Sequence, residues 1–215
     1  MPKMLKNDTS LNVAVVLPDI HVPYQDTAAL AVAMDIVKYV QPDQIVQVGD
    51  IIDFYPVSKY PKDPRRGHGT ELQRELDETK KLIDKLAEYA PVTICKGNHE
   101  ERLSKYLRDK APGLLGLRHL TVQEQLGIDG KRVKYVDFMH LGALFVMHGD
   151  RVTRSGSSYS ARTAQTNVDK LNMSVMHGHI HRLGQFNKTT RGGGDQVGYE
   201  IGCLCDRENV EYAAE

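Results

Sequence analysis

Five times along this chain a short apolar run breaks off into aspartate, asparagine, histidine or glycine. Residues 12–17 give way to Asp19-Ile20-His21, 44–48 to Gly49-Asp50-Ile51-Ile52-Asp53, and 92–95 to Gly97-Asn98-His99-Glu100. Farther on, 143–147 lead into His148-Gly149, and Val175-Met176 into His177-Gly178-His179-Ile180-His181. Short runs rich in valine and isoleucine, without polar alternation, have the pattern of strands buried on both faces. Helix-like segments separate the first three. Asp26 can cap a helix that runs to Val40 and stops at Gln41-Pro42. Residues 70–89 place Leu72, Leu76, Leu82, Ile83 and Leu86 on one helical face, with Pro91 beyond the end, and a third helix runs from about Glu100 to Lys110. This alternation predicts parallel strands covered by helices. Every polar cluster then falls at the carboxyl end of a strand, the edge at which α/β sheets build ligand sites.

The second half is more mixed. Thr121-x-x-Glu124 is a capping box for a short helix. Residues 132–138 and 143–147 read as two neighbouring strands joined by a tight turn, and 157–171 as a helix. Residues 182–190 and 196–204 form a final hairpin around Gly192-Gly193-Gly194, which is a hairpin tip rather than a phosphate loop because no helix follows it. No repeat or linker interrupts the pattern, so residues 1–215 are expected to form a single domain with a core over about 12–205.

Lys and Arg total 28, as do Asp and Glu, which argues against a nucleic-acid coat protein that depends on basic excess. No apolar stretch approaches the roughly 18–20 residues of a membrane helix, and none forms a signal-peptide core. Cys95, Cys203 and Cys205 are too few and odd in number for a disulfide framework. They read as small buried residues in a reducing compartment, and a cytoplasmic setting is expected.

Carboxylate oxygen and imidazole nitrogen converging from five segments suit a pair of divalent ions such as Mn, Fe, Zn, Co or Ni. One carboxylate can bridge two ions, which in two-metal hydrolases lie about 3.5–4 Å apart. The glycines beside these residues permit sharp turns and close backbone approach. His68, His119 and His140 lie outside the clusters and read as surface or core residues. His177 alternates with His179 and His181 and reads as a packing residue behind them.

Asp19-x-His21, Gly49-Asp50-x-x-Asp53, Gly97-Asn98-His99-Glu100, His148-Gly149 and Gly178-His179-x-His181 resemble, in order, the five signatures of the calcineurin-like metallophosphoesterases. Each motif alone is weak, but all five in order after expected strands form a strong signal. The overall look is similar to the small stand-alone members common in bacteria and bacteriophages. The resemblance implies an α/β fold in which central mixed β-sheets pack as a sandwich flanked by helices, in four layers α/β/β/α. It assigns Asp19, His21 and His181 to a first metal, Asn98, His148 and His179 to a second, and Asp50 to both. It makes His99 a general acid or charge-stabilising donor beside the phosphate, and Asp53 the partner that orients His99. It implies hydrolysis of phosphate mono- or diesters (a nucleotide, a nucleic-acid end or a phosphoprotein) by attack of a metal-bridging hydroxide. The cofactors implied are two divalent ions, manganese first. A non-catalytic scaffold of the same fold is the alternative, weakened because no ligand is missing.

Cations near these motifs are candidate substrate contacts: Lys96, Arg65, Arg66, Arg102 and Arg151. Protein Ser/Thr phosphatases of this superfamily typically carry arginines where this chain has Phe54 and Lys96, so the paired-arginine phosphate clamp is altered. The residues after His181 suffice for a hairpin but not for the added DNA-capping domain of the repair nucleases. The expected partner is the phosphate ester itself, with nucleic acid among its forms, without a membrane or an obligate protein partner.

Overall fold

The computed structural model describes residues 12–60, 71–151, 163–189, 191–192, 194–208 and 210. Strands β1 (Ala14–Leu17), β2 (Gln44–Gln47), β3 (Val92–Cys95) and β4 (Val133–Val136) lie side by side in that order, all parallel. The second sheet contains β5 (Phe138–Leu141), β6 (Leu144–Met147), β7 (Val175–His177), β8 (Leu183–Thr189) and β9 (Asp195–Ile201), in the order β5-β6-β7-β9-β8. Only this sheet is mixed: β6-β7 and β7-β9 are parallel, whereas β5-β6 and β8-β9 are antiparallel hairpins.

Alternation along the strands separates three apolar layers. Leu17, Ile45, Val92, Ile94 and Val133 face outward. They bury against Met34 and Val37 of α1 (Thr27–Val40), Leu76, Ile83 and Leu86 of α2 (Glu71–Tyr89), and Leu103 and Leu107 of α3 (Glu101–Lys110). Val16, Val46, Cys95 and Val136 face the other way and meet Met139, Leu141, Val146 and Met176 of the second sheet. Beyond that sheet, Phe145, Met147, Val175 and Phe186 pack on Val168 and Leu171 of a further helix, Thr163–Leu171. The result is two central sheets flanked by helices, in the expected α/β/β/α layering.

Local chemistry sets the ends. Asp26 accepts the Ala28 and Ala29 N–H groups at 2.9 and 3.0 Å, capping α1, and Thr121 Oγ1 accepts Glu124 N–H at 3.3 Å ahead of the short helix Val122–Gln125. The helix expected over 157–171 is seen from Thr163; its expected first residues, like residue 70 of the second helix, lie outside the described residues.

One expectation is corrected. Residues 132–138 are not a single strand paired with 143–147. β3 offers β4 only the positions from Val92 to Cys95, and these pair with Val133 to Val136. Beyond Asp137 the chain enters the other sheet, where β5 takes the pairing with β6. The segment read as a turn is therefore strand, and the actual turn is the two-residue loop Gly142-Ala143, with Gly142 at φ 59°.

Among the described residues, no helix is long and apolar enough to cross a membrane.

Candidate metal centre

The carboxyl ends of β1, β2 and β3 and the ends of β6 and β7 bring all five polar clusters to one place. Asp19, His21, Asp50, Asp53, His99, His148 and His181 are all buried. The backbone there is strained. His21, Asp50, His179 and His181 have φ of 53°, 54°, 71° and 55°, and Phe54, next to Asp53, has 55°. Left-handed conformations cost roughly 1–2 kcal/mol for residues with a Cβ, and persist where the surroundings over-determine them.

Those surroundings are visible. Glu100 accepts three backbone N–H groups: Asp50 at 3.0 Å, Ile51 at 2.8 Å and Gly97 at 2.8 Å. Gln47 exchanges hydrogen bonds with the backbone of Gly49, at 2.7 and 2.8 Å. The carboxylates reach across in turn: Asp50 Oδ1 accepts His99 N–H at 2.8 Å, and Asp19 Oδ1 accepts His179 N–H at 2.9 Å. Two glycines are forced by proximity. A Cβ at Gly178 would overlap Asp19 Oδ2, and one at Gly49 would stand 2.7 Å from His148 Nδ1.

The side chains fall into two groups around Asp50. His148 Nε2 lies 3.0 Å from Asn98 Oδ1, 3.1 Å from Asp50 Oδ2 and 3.2 Å from His179 Nδ1. On the other side, His21 Nε2 lies 3.1 Å from His181 Nε2 and 3.8 Å from Asp50 Oδ2, while His181 Nε2 is 3.5 Å from Asp19 Oδ1. One imidazole proton cannot serve three inward-facing acceptors, and two facing imidazole nitrogens share at most one good hydrogen bond. Asp19 Oδ2 is buried without a hydrogen-bond partner. Crowded lone pairs and an orphaned carboxylate oxygen are what a divalent cation satisfies, so the donor set fits a metal pair.

The outward nitrogens favour the same tautomers. His148 Nδ1 is 3.1 Å from the Val48 carbonyl, and His21 Nδ1 is 3.1 Å from Asp53 Oδ2. A proton held there leaves Nε2 with its lone pair inward.

The electrostatics match. Burial, with the charge of His148, drives His179 down to about 4, keeping it neutral, and burial likewise lowers His21. Burial would also lower His148, but the Asp50 charge, their hydrogen bond and Asp19 carry it up to about 10, so an ion taking Nε2 must displace a proton from it. Burial opposes ionisation of Asp50 and Asp53, yet the surrounding histidines hold both well below the usual carboxylate range.

His99 lies at the rim of this cage. Its Nε2 is 3.9 Å from Asp50 Oδ2, and its Nδ1 faces the Asp53 carbonyl at 2.9 Å and Asp53 Oδ2 at 3.3 Å. Asp53 therefore serves His21 as well as His99, which sequence reasoning did not anticipate. Arg102 donates to the Asp53 carbonyl at 2.8 Å and to Oδ1 at 3.0 Å, and its second nitrogen lies 2.8 Å from His99 Nε2. A guanidinium nitrogen always carries hydrogen, so in this arrangement Nε2 accepts and the ring proton sits on Nδ1.

The other expected substrate contacts differ. Lys96, Lys105 and Arg151 gather on Glu101 at 3.0, 2.8 and 3.3 Å, and Arg151 also reaches Asp137 at 3.1 Å. Arg65, Arg66 and His68 lie outside the described residues. His177 is fully buried and packs against Gly149, in keeping with a packing role. Glu100 and Gln47 were missed as supporting residues. Glu100 stood inside a motif without a role, and Gln47 was the one signal available, a polar side chain within a buried strand.

A chain built this way belongs to the calcineurin-like phosphoesterase family, whose model matches residues 14–200. A relative, the Gene 54 protein of Mycobacterium phage L5, is 27% identical over 207 residues, covering 92% of this chain and 81% of its own. Two solved structures are similar in fold: the nuclease MPE of Pseudomonas putida (13% identity, TM-score 0.43, covering 90% of this chain and 75% of that one) and Vps29 of Chaetomium thermophilum (10%, 0.46, 91% and 75%).

Proposed function

We propose that this chain is a dinuclear metal-dependent phosphoesterase acting on phosphate mono- or diesters. Asp19, His21 and His181 would hold one divalent ion, Asn98, His148 and His179 the other, and Asp50 would be shared. The observation that carries this reading is the convergence of Asn98, Asp50 and His179 on His148 Nε2 within 3.2 Å, beside the partnerless Asp19 Oδ2. Bound ions would supply Lewis acidity and lower the pKa of a water between them.

The remaining steps belong to the side chains. Arg102 has the fork geometry that grips two phosphoryl oxygens at once. On substrate binding its second nitrogen leaves His99 Nε2 for the phosphoryl group, where it offsets the charge that develops in the transition state. His99 Nε2, released, takes a proton from solvent water and gives it to the leaving oxygen as the bond from that oxygen to phosphorus breaks. Asp53 keeps His99 Nδ1–H engaged throughout and balances the imidazolium.

The test is hydrolysis of nitrophenyl phosphate and its bis-ester after chelation and after restoring manganese. Activity that vanishes on chelation, returns with metal and is abolished in Asp50→Asn supports the proposal. Turnover indifferent to both treatments would refute it.

A further inference from the structure

Three candidate imidazole ligands show a partner on the nitrogen that faces away from the centre. For His21 it is the Asp53 carboxylate, for His148 the Val48 carbonyl, and for His181 it is sulfur: Cys205 Sγ lies 3.7 Å from His181 Nδ1. That is hydrogen-bonding range for sulfur, whose larger radius lengthens the contact. If His181 Nε2 turns its lone pair inward, the ring proton must sit on Nδ1, and Cys205 Sγ is there to accept it.

The backbone delivers this thiol to its position. After β9 the chain folds back along the loop that carries Asp19. Leu204 N–H donates to the Asp19 carbonyl at 2.9 Å, Asp26 N–H to the Leu204 carbonyl at 2.8 Å, and Asp206 N–H to the Tyr24 carbonyl at 2.7 Å. Gln25 and Cys205 form an antiparallel bridge, and Cys205, only 4% exposed, packs with Tyr24 and Val210. Residues 202–206 therefore brace two members of one half of the cage, Asp19 through the backbone and His181 through sulfur. The other half, formed by Asn98, His148 and His179, rests on Val48, Gly97 and the Glu100 clamp instead.

Resting on the two-metal reading, we infer that Cys205 is a positioning residue for the half-site of Asp19, His21 and His181. Its sulfur accepts the His181 Nδ1–H and holds Nε2 towards Asp19 and His21. Loss of such an outer partner typically costs about 10–100-fold in metal affinity.

The experiment measures metal binding by calorimetry and by metal content of the purified full chain, using manganese. The wild type should take up two ions. Cys205→Val fills the space without accepting a hydrogen bond, and should weaken one ion by about 10–100-fold while leaving the other unchanged. Cys205→Ser restores an acceptor and should bring the weak ion back to within a few-fold of wild type. Adding Cys205→Val to His181→Ala should change nothing further, because both act on the same half-site. Two unchanged ions in Cys205→Val, equal weakening of both, or a folded serine variant without rescue would each overturn the assignment. If the valine variant does not fold, the serine variant and the cobalt(II)-loaded wild type decide. A thiolate-to-cobalt charge-transfer band would make Cys205 a ligand itself and defeat the positioning role, whereas its absence with serine rescue supports it. A wild type that binds no divalent ion at all would instead defeat the two-metal reading.

Discussion

At the residue scale, the site is organised around groups that serve several partners at once. Asp53 meets His21, His99 and Arg102, and Asp50 stands between the two histidine groups. Such sharing separates chemistry from scaffolding. His99→Asn removes the proton donor but none of the proposed ligands. It is expected to retain both ions by metal analysis while kcat falls about 10²–10⁴-fold, most for esters with poor leaving groups. Loss of one ion would make His99 a ligand. Arg102→Ala deletes a charged donor that the proposal moves onto substrate. At roughly 1.5–3 kcal/mol for such a hydrogen bond, kcat/KM should drop about 10–100-fold, and lysine should rescue it poorly because it lacks the planar fork. An unchanged kcat/KM in Arg102→Ala would confine the arginine to bracing Asp53.

At the element scale, strand ends supply the ligands and a single carboxylate holds their turns together. Burial and the Asp50 charge push Glu100 up to about 7, against the pull of the amides it accepts. Glu100→Ala would strand the N–H groups of Asp50, Ile51 and Gly97 in the interior. At about 1–3 kcal/mol for each unsatisfied donor, unfolding in urea should show a loss of at least about 3 kcal/mol, well beyond that of His99→Asn. This level also marks where the sequence was and was not legible. The strands before Asp19, Asp50 and Asn98 were readable because doubly buried parallel strands are continuous apolar runs of valine and isoleucine. The passage from β4 to β5 was not, because nothing in residues 132–141 says where one sheet's pairing ends and another's begins. That boundary depends on the length of β3, some forty residues away along the chain.

On the scale of the whole molecule, the proposed metal binding would be linked to stability. The left-handed backbone at four proposed ligands opposes folding of the empty site. Ions that bind only the native state add about 2.7 kcal/mol at a hundredfold excess over Kd, so chelation should lower Tm by several degrees and manganese should restore it. A second handle lies outside the cage. Glu75, buried in α2, accepts the Phe54 N–H, and burial with the nearby Asp53 charge pushes its carboxyl up to about 8 from 4.5. With the folded value raised, its contribution is fully present below pH 4.5 and is lost as pH rises through 8. Glu75→Gln keeps an acceptor for Phe54 but cannot ionise. Its stability relative to wild type should therefore climb by up to a few kcal/mol between those two pH values, as measured by urea unfolding. A flat difference across that range would mean that Glu75 is ionised in the folded protein.

The convergence of the proposed ligands was legible in the sequence, because each sits at or just beyond the end of an apolar run and strand ends in such a fold share one edge. What only the tertiary structure decided is how those residues are held. The Asp53 carboxylate turned towards His21, Arg102 closed over His99, the Glu100 clamp beneath Asp50 and the Cys205 sulfur behind His181 mostly join segments far apart in the chain. Their pairing follows from packing two sheets face to face and folding the last strand's exit back along the first loop. A local pattern of residue types can specify a strand and its polar end, but a hydrogen bond between distant segments exists only once the burial of the whole core has brought them into contact.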